Sequence, residues 1–204
     1  MTPSFYDILK FWLGDLNDES RIDKSPVSRR WFRGDKQLDE EIRKKFEDNL
    51  KKAARGELSS WEEGPRGRLA LVILFDQFSR SMYRNTPQMF ACDSLALNLT
   101  LRTMFKKIDQ QLQLVERVFL YMPLQHAEDI ELQKLSLQRF ESLVIQSEKM
   151  CPSNTPYYAS TLQYAKRHHD IIAEFGRFPH RNAILNRSST EGETDFLKKP
   201  GSSF

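Results

Sequence analysis

The stretch RLALVILFDQFSRSMYR, residues 68–84, decides the fold of this chain. Residues 69–75 are apolar on every face, so a helix formed by them must be surrounded by protein on all sides. This apolar run is far shorter than the roughly 20 residues that a membrane-spanning helix needs. The stretch therefore predicts a helical protein that is built around one central helix and does not span a membrane.

Polar residues follow directly at the buried end of this helix. Asp76 and Gln77 come first, and Arg80 and Arg84 follow Asp76 at steps of four residues, so a helix places the three charges on one stripe. A buried carboxylate needs a partner. Two interpretations stay open. The charges form a structural ion pair that completes the core helix, or Arg80 and Arg84 reach an anionic ligand while Asp76 orients one of them.

The remaining segments also carry helical signals. Apolar residues recur every three or four positions in the two N-terminal segments. A capping residue followed by proline, typical of a helix start, occurs at residues 25–26, 64–65, 86–87 and 155–156. Thr190 with Glu193 gives a capping-box pattern. After two N-terminal helices, the predicted helices span residues 66–82, 88–106, 111–121, 125–149, 157–175 and 190–198.

These signals predict an all-α protein in which antiparallel helix hairpins stack into a bundle or a compact right-handed array. Only 8 glycines occur among 204 residues, and strand-like alternation is nowhere sustained. No linker divides the chain, so we expect one domain over residues 1–198 and a flexible tail over residues 199–204. No internal repeat is visible.

Composition narrows the range of partners. The chain has 31 Lys and Arg against 28 Asp and Glu, a formal charge of +3 spread over both halves, so a nucleic acid is not expected as a partner. The two cysteines lie far apart and no leader is visible, which favours a cytoplasmic location. Metal-ligand spacings and nucleotide-binding glycine motifs are missing, so neither a metal nor a cofactor is expected. The oligomeric state stays open.

The stretch FGRFPHRN, residues 175–182, has the composition of a built site. Gly176 can end a helix in the left-handed conformation, and Pro179 prevents the helix from resuming. Arg177, His180 and Arg181 would thus be held at a fixed bend. We interpret them as candidates for an anion site or for an internal ion-pair network.

The stretch YMPLQHAEDIELQ, residues 121–133, is a third polar region. Pro123 is expected to break the preceding helix, which places His126 and Glu128 in or near the first turn of a new one. His126 could then act as a general base with Glu128 as an orienting or acid group. Alternatively, His126 caps the helix and Glu128 complements its dipole. Gln133 lies seven residues after His126 and shares its face.

Five stretches in this order resemble one bacterial family without known activity, domain of unknown function 924. They are RRWF (29–32), AARGELSSW (53–61), LALVILFDQFSRSMYRNTPQMFACD (69–93), FLYMPLQHAEDIELQ (119–133) and FGRFPHRNAILNRSSTEGETDFL (175–197). The resemblance implies a tetratricopeptide-like all-α fold but no activity. The chain departs from the family pattern at Ala127, where serine is more frequent, and at Asn186, where glycine is usual.

We hypothesise that the three polar stretches converge on a concave face. The candidate catalytic residues are His126, Glu128 and His180. The candidate ligand-binding residues are Asp76, Gln77, Arg80, Arg84, Gln133, His168, Arg177, Arg181 and Asn182, and Asp93 belongs to the same family pattern. Three functions stay open: binding of a small anionic molecule or peptide carboxylate, a metal-independent hydrolase or transferase, and a structural or partner scaffold.

Overall fold

A computed structural model describes residues 2–31 and 34–203, so the outermost residues of the predicted domain and tail, Met1 and Phe204, lie outside the described residues. The described residues form helices and turns without any strand, which confirms the all-α class. The right-handed tetratricopeptide-like arrangement stays a prediction. The helices are α1 (Phe5–Leu13), α2 (Lys36–Ala54), α3 (65–82), α4 (Asp93–Phe105), α5 (Leu114–Gln125), α6 (Ile130–Met150), α7 (Thr155–Phe175) and α8 (Glu191–Leu197).

The central helix α3 has three parts. Pro65–Ile73 is α-helical, Leu74–Phe78 is one turn of π-helix, and Ser79–Met82 returns to α-helix. The backbone N–H of Ser79 donates to the carbonyl of Leu74, five residues earlier. Every residue from 69 to 75 is buried, as the apolar run predicts. π-turns are rare overall, but those that occur are often found at functional sites. This one contains Asp76 and Gln77.

Aromatic side chains pack the N-terminal helices against α3. The ring of Phe78 lies 5.4 Å from that of Trp12 on α1 and 5.0 Å from that of Phe46 on α2. Trp31 lies 4.8 Å from Phe119 on α5, and its indole N–H donates to the carbonyl of Trp12 at 2.9 Å. Each indole or phenyl ring thus contributes buried area and a fixed geometry, which holds α3 in the centre.

The C-terminal half is a stack in which α6 packs between α5 and α7. Asp129 caps α6 by accepting from the backbone N–H groups of Glu131 and Leu132. The side chain of Asn154, just before α7, accepts from the N–H of Ile22 at 3.1 Å and donates to the carbonyl of Ser20 at 2.7 Å. This amide joins the loop after α1 to the α6–α7 connection.

Three local predictions were wrong. Residues 25–26 begin a series of turns and no helix, and residues 87–90 form only a short 3-10 helix before α4. Pro123 lies inside α5, which continues for two residues beyond it. Pro123 removes one backbone donor from α5, and the helix ends two residues beyond it. His126 therefore caps the C-terminus of α5 and does not start a new helix.

The C-terminal residues contact the rest of the fold. The carbonyl of Gly201 accepts a hydrogen bond from Arg167 at 2.9 Å, and the hydroxyl of Ser202 donates to the carbonyl of Leu197. The flexible tail stays a prediction. Within residues 2–31 and 34–203, no helix has the length and apolarity needed to cross a bilayer.

Gly67 gives a test of the packing around α3. A Cβ at Gly67 would lie 2.1 Å from the carbonyl oxygen of Trp61, a backbone atom that cannot rotate away. We expect Gly67→Ala to lower the free energy of unfolding by about 1–3 kcal/mol. The control is Gly192→Ala in α8, where the added methyl meets open space and should be neutral or stabilise by about 0.4–1 kcal/mol. Urea unfolding measures both, and equal stability of the two variants would contradict the packing argument.

Candidate functional site

A cleft of about 640 Å³ lies between α3, the end of α5, α7 and the 3-10 turn Pro179–Arg181. Its lining combines cationic and apolar groups. The charged residues are Arg30, Arg80, Arg84, Arg167, Arg181, Asp35 and Asp39, and the larger apolar residues include Trp12, Met89, Phe90, Met122 and Phe140. The excess of arginine over aspartate favours an anionic ligand that also has an apolar part.

Asp76 is the buried anion behind this cleft. Its side chain is only 1% exposed, and one carboxylate oxygen lies 2.6 Å from Nδ1 of His126 and 3.0 Å from Nη1 of Arg80. The amide of Gln77 donates to the other oxygen. Burial raises the pKa of Asp76, but the charge of Arg80 and the contact with His126 outweigh burial and hold the pKa well below its usual range. Asp76 is therefore ionised at neutral pH.

His126 faces Asp76 with one ring nitrogen and the cleft with the rest of the ring. An ionised carboxylate can only accept, so Nδ1 of His126 carries the proton in the 2.6 Å contact with Asp76. Burial lowers the pKa of His126, Arg80 and Arg181 lower it further, and Asp76 opposes them. The ring is thus neutral near pH 7, and its Nε2 is a proton acceptor.

The guanidinium of Arg80 is paired with internal acceptors. Its Nη1 and Nη2 donate to the two oxygens of Asp93 at 2.8 and 3.0 Å, and Nη1 also donates to the backbone carbonyl of Asp76 at 3.0 Å. Burial lowers the pKa of Arg80, but Asp76 and Asp93 raise it above the ordinary value. This pair of contacts matches the structural interpretation of Asp76 and Arg80. It leaves Arg80 little capacity for a ligand.

Arg181 is a buried cation with incomplete partners. Its side chain is 8% exposed, and Nη1 lies 3.8 Å from Asp93, beyond hydrogen-bond distance. Nη2 donates to the backbone carbonyl of His126 at 2.9 Å. Its Nε is buried and has no hydrogen-bond partner among residues 2–31 and 34–203. Burial and the neighbouring Arg80 lower the pKa of Arg181 to about 10, so it stays charged at neutral pH.

Two aromatic rings hold the guanidinium of Arg181. Its central carbon lies 4.4 Å from the ring centre of Phe178 and 4.8 Å from that of Phe90. Such stacking fixes the plane of the guanidinium without using any of its N–H donors. The direction of the unused Nε donor is therefore fixed by the fold.

Arg177 and Asn182, from the same 175–182 stretch, are paired away from the cleft. Arg177 donates to both oxygens of Glu193 at 2.6 and 2.8 Å, and Asn182 donates to Glu193 and to Ser189. These contacts fasten the bend to the capping box of α8, in which Glu193 accepts from the N–H of Thr190. Arg177 and Asn182 thus position the bend and do not line the cleft.

Glu128 is held in a similar way. Arg187 donates to both of its oxygens at 2.6 and 2.9 Å, and the N–H of Phe178 donates to it at 2.9 Å. Sequence analysis did not identify Arg187 as a partner. The neighbouring Asn186 adopts a left-handed conformation with φ of 53°, which accounts for the glycine usual at this position in the family pattern.

The other candidates are divided between the cleft and the core. Gln133 is completely buried and donates to the carbonyls of Gln125 and Ala127. Arg84 lies beyond the end of α3, off the stripe predicted for it, and pairs with Asp39 at 2.7 and 2.9 Å on the cleft rim. The helix ends at Met82, two residues before Arg84, and Arg84 reaches Asp39 on α2.

Two further histidines line the cleft beside His126. The ring of His168 lies 5.8 Å from that of His126, and its Nδ1 contacts the carbonyl of Tyr164 at 2.8 Å. Burial, with a contribution from His126, lowers the pKa of His168 to about 3. Burial and Arg181 lower the pKa of His180 to about 4. Within the part of the chain that the structure describes, no group of three or more His, Cys, Asp or Glu could hold a metal ion.

The fold and the cleft define an all-helical protein with a buried cluster of aspartate, histidine and arginine. The family model described as bacterial protein of unknown function, DUF924, matches residues 8–201, so the chain belongs to this family. A solved structure of a protein of unknown function from Agrobacterium tumefaciens is similar, with 35% identity and a TM-score of 0.77 over 95% of this chain and 96% of that one. No curated protein matches the chain.

The ion pair between Arg177 and Glu193 predicts a pH-dependent stability. The hydrogen bond from Arg177 lowers the pKa of Glu193 from 4.5 to about 2. The unfolded chain therefore takes up this proton first, and the stabilisation present above pH 4.5 is lost as the pH falls toward 2. We expect Glu193→Gln to be less stable than the wild type at pH 6 and to differ less from it at pH 2.5.

Urea titrations at several pH values measure this difference. Glu191→Gln is the matched control, because Glu191 is an exposed residue of the same helical turn. If the difference between Glu193→Gln and the wild type were the same at both pH values, the ion pair would not carry the stability assigned to it.

Proposed function

We propose that this protein binds a small molecule that combines an anionic group with an apolar body, in the cleft beside Arg181. The observation that carries the proposal is the buried Nε of Arg181, which has no hydrogen-bond partner among the described residues. An unsatisfied buried donor on a cation is costly, and a carboxylate or phosphate oxygen is the group that satisfies it best.

The surroundings of Arg181 support an anion over a neutral ligand. Arg30 and Arg167 also line the cleft, so the charge of a bound anion is balanced by cations other than Arg181, whereas Arg80 and Arg84 are paired with internal carboxylates. Apolar residues such as Phe90, Met89 and Met122 line it too and can contact the body of the ligand. A small organic acid and the C-terminal carboxylate of a peptide both meet this description.

A structural role for part of the polar network is supported by separate contacts. Arg84, Arg177 and Arg187 each form a two-contact pair with an internal carboxylate. These three arginines would be used in the same way by a scaffold. The binding function and the scaffold function make different predictions for Arg181, because a scaffold needs no ligand there. A cytoplasmic location remains part of this proposal.

Substitution of Arg181 tests the binding function. The probes are phosphate, benzoate and hexanoate, compared with chloride at matched ionic strength. We expect them to raise the melting temperature of the wild type, because a ligand that binds only the folded state stabilises it. Arg181→Met should lose this effect, with a dissociation constant raised about tenfold or more, since a hydrogen bond to a charged group contributes about 1.5–3 kcal/mol.

Arg177→Met is the matched control for this experiment. It removes an arginine from the same bend, but one whose guanidinium pairs with Glu193 and does not line the cleft. It should therefore keep the ligand-induced stabilisation even if its own stability falls. Equal stabilisation of Arg181→Met and the wild type would refute the anion site and favour the scaffold.

A further inference from the structure

We propose that His126, oriented by Asp76, is the general base of a hydrolase that cleaves an ester bond close to the anionic group held by Arg181. This inference rests on the proposed function, because it uses the same cleft and the same anion anchor. It adds a reaction, a substrate class and a role for the two residues behind the cleft.

The first support is the geometry of the Asp76–His126 pair. The carboxylate contacts Nδ1 of the ring at 2.6 Å. It is itself fixed by Arg80 on the same oxygen and by Gln77 on the other. A carboxylate fixed in this way holds the imidazole in one orientation and in one tautomer, the arrangement by which a carboxylate supports a catalytic histidine.

The second support is the open side of the ring. The side chain of His126 is 14% exposed and lines the cleft. Its Nε2 forms no hydrogen bond to any residue in the described ranges 2–31 and 34–203. With the proton on Nδ1, Nε2 presents a lone pair to a molecule in the cleft. A water hydrogen-bonded to this atom would lie beside a bound ligand.

The third support is the contact between the base and the anion anchor. Nη2 of Arg181 donates to the backbone carbonyl of His126 itself at 2.9 Å. An anionic group held by the Nε edge of Arg181 is therefore kept near the imidazole. A reacting bond one or a few atoms from that group falls within reach of the base, and its fixed position supplies much of the rate acceleration.

The reaction balances without any further reagent. Nε2 of His126 accepts a proton from water while the water oxygen forms a bond to the acyl carbon of the ester. The bond from that carbon to the alcohol oxygen then breaks, and the proton on Nε2 passes to the departing oxygen. The products are a carboxylic acid and an alcohol. Asp76 stabilises the imidazolium formed in between, and the charge of Arg181 favours the developing oxyanion.

Water is assigned as the nucleophile because, within residues 2–31 and 34–203, no hydroxyl is hydrogen-bonded to the ring of His126. Ala127 follows His126, where the family pattern more often has serine. The hydroxyl of Thr161, which lines the cleft, donates to the carbonyl of Tyr158 at 2.7 Å and is turned toward its own helix. One base acting on water needs only the residues that the structure brings together.

The charged groups around His126 set the pH dependence. Asp76 and Arg80 face it from α3, Asp93 lies behind Arg80 on α4, His168 faces it from α7, and His180 and Arg181 come from the 3-10 turn. Burial and the two arginines hold the pKa of His126 below 6.5. Because only the neutral ring accepts a proton, activity should fall on the acid side with a midpoint below pH 6.5.

The test uses the full-length protein and a series of p-nitrophenyl monoesters of succinic, glutaric and adipic acid, with neutral p-nitrophenyl acetate for comparison. We expect the wild type to hydrolyse at least one acidic ester faster than the neutral one. His126→Gln should lower kcat by about 100-fold or more, the usual range for a lost general base. It should keep the stabilisation by benzoate or hexanoate, which shows that the cleft is intact.

Arg181→Met separates the two proposals. It should raise KM for the acidic esters, because their anion anchor is lost, and lower kcat for acidic and neutral esters alike, because the charge beside the oxyanion is lost. If binding depends on Arg181 but no ester is hydrolysed in a His126-dependent way, the hydrolase inference is overturned and the binding function stands. If neither binding nor hydrolysis depends on Arg181, the proposed function fails as well.

Two further variants distinguish proton transfer from a structural role. His126→Gly opens space for imidazole, and added imidazole should restore hydrolysis. The pH at which the restored activity falls on the acid side should rise to the pKa of free imidazole. Asp76→Asn tests the positioning role, since its amide N–H can donate to Nδ1 and force the other tautomer. We expect a lower kcat with little change in KM. Loss of activity in His126→Gly that imidazole does not rescue, in a folded protein, contradicts the proposal.

Discussion

The buried carboxylate of Asp76 is the interaction on which the arrangement of this protein depends. It lies at the end of an apolar helix, 1% exposed, where an isolated charge would cost several kcal/mol. The fold therefore has to bring donors to it. Arg80 comes from the same helix, Gln77 is its neighbour in the chain, and His126 comes from the end of α5. Once these donors are in place, α3 and α5 have one relative position in which all of them are satisfied.

The π-turn explains how α3 can be both the core and part of the site. Residues 69–75 need a fully apolar environment, whereas Asp76 and Arg80 need polar partners from other elements. The wider turn at Leu74–Phe78 changes the angular register of everything that follows it. Ser79 stabilises the turn, because its hydroxyl donates to the carbonyl of Phe75. The polar end of α3 is thereby directed toward Asp93 and His126.

Sequence patterns predicted the parts of the structure that depend on local chemistry. The apolar run of 69–75, the helix beginning at Pro65 and the capping box of Thr190 and Glu193 follow from propensity and spacing alone, and the structure confirms them. The convergence of Asp76, His126 and Arg181 on one cleft was a hypothesis from three separate polar stretches. In the structure Asp76 contacts His126 and Arg181 donates to the carbonyl of His126, while the functional role of these residues stays a prediction.

The choice of partners could not be predicted, because it depends on tertiary contacts. Arg84 and Asp39 are 45 positions apart, and Arg187 and Glu128 are 59 positions apart. Nothing in the local sequence relates one member of each pair to the other. The same limit applies to Pro123 and to the π-turn, where packing against neighbouring helices outweighs the local preference of the backbone.

The scaffold and the site are not alternatives in this cluster, because one creates the other. Asp76 and Asp93 supply two negative charges, and Arg80 and Arg181 supply two positive ones. The four charges sum to zero, but the hydrogen bonds among the four groups are unevenly distributed. Asp93 gives both oxygens to Arg80 at 2.8 and 3.0 Å, so its distance to Arg181 is 3.8 Å. The structural pairing of Arg80 thus leaves Arg181, which lines the cleft, stacked between two rings with its buried Nε unused. A network that was satisfied in every member would hold the helices together equally well and would leave no donor for the anion that we propose.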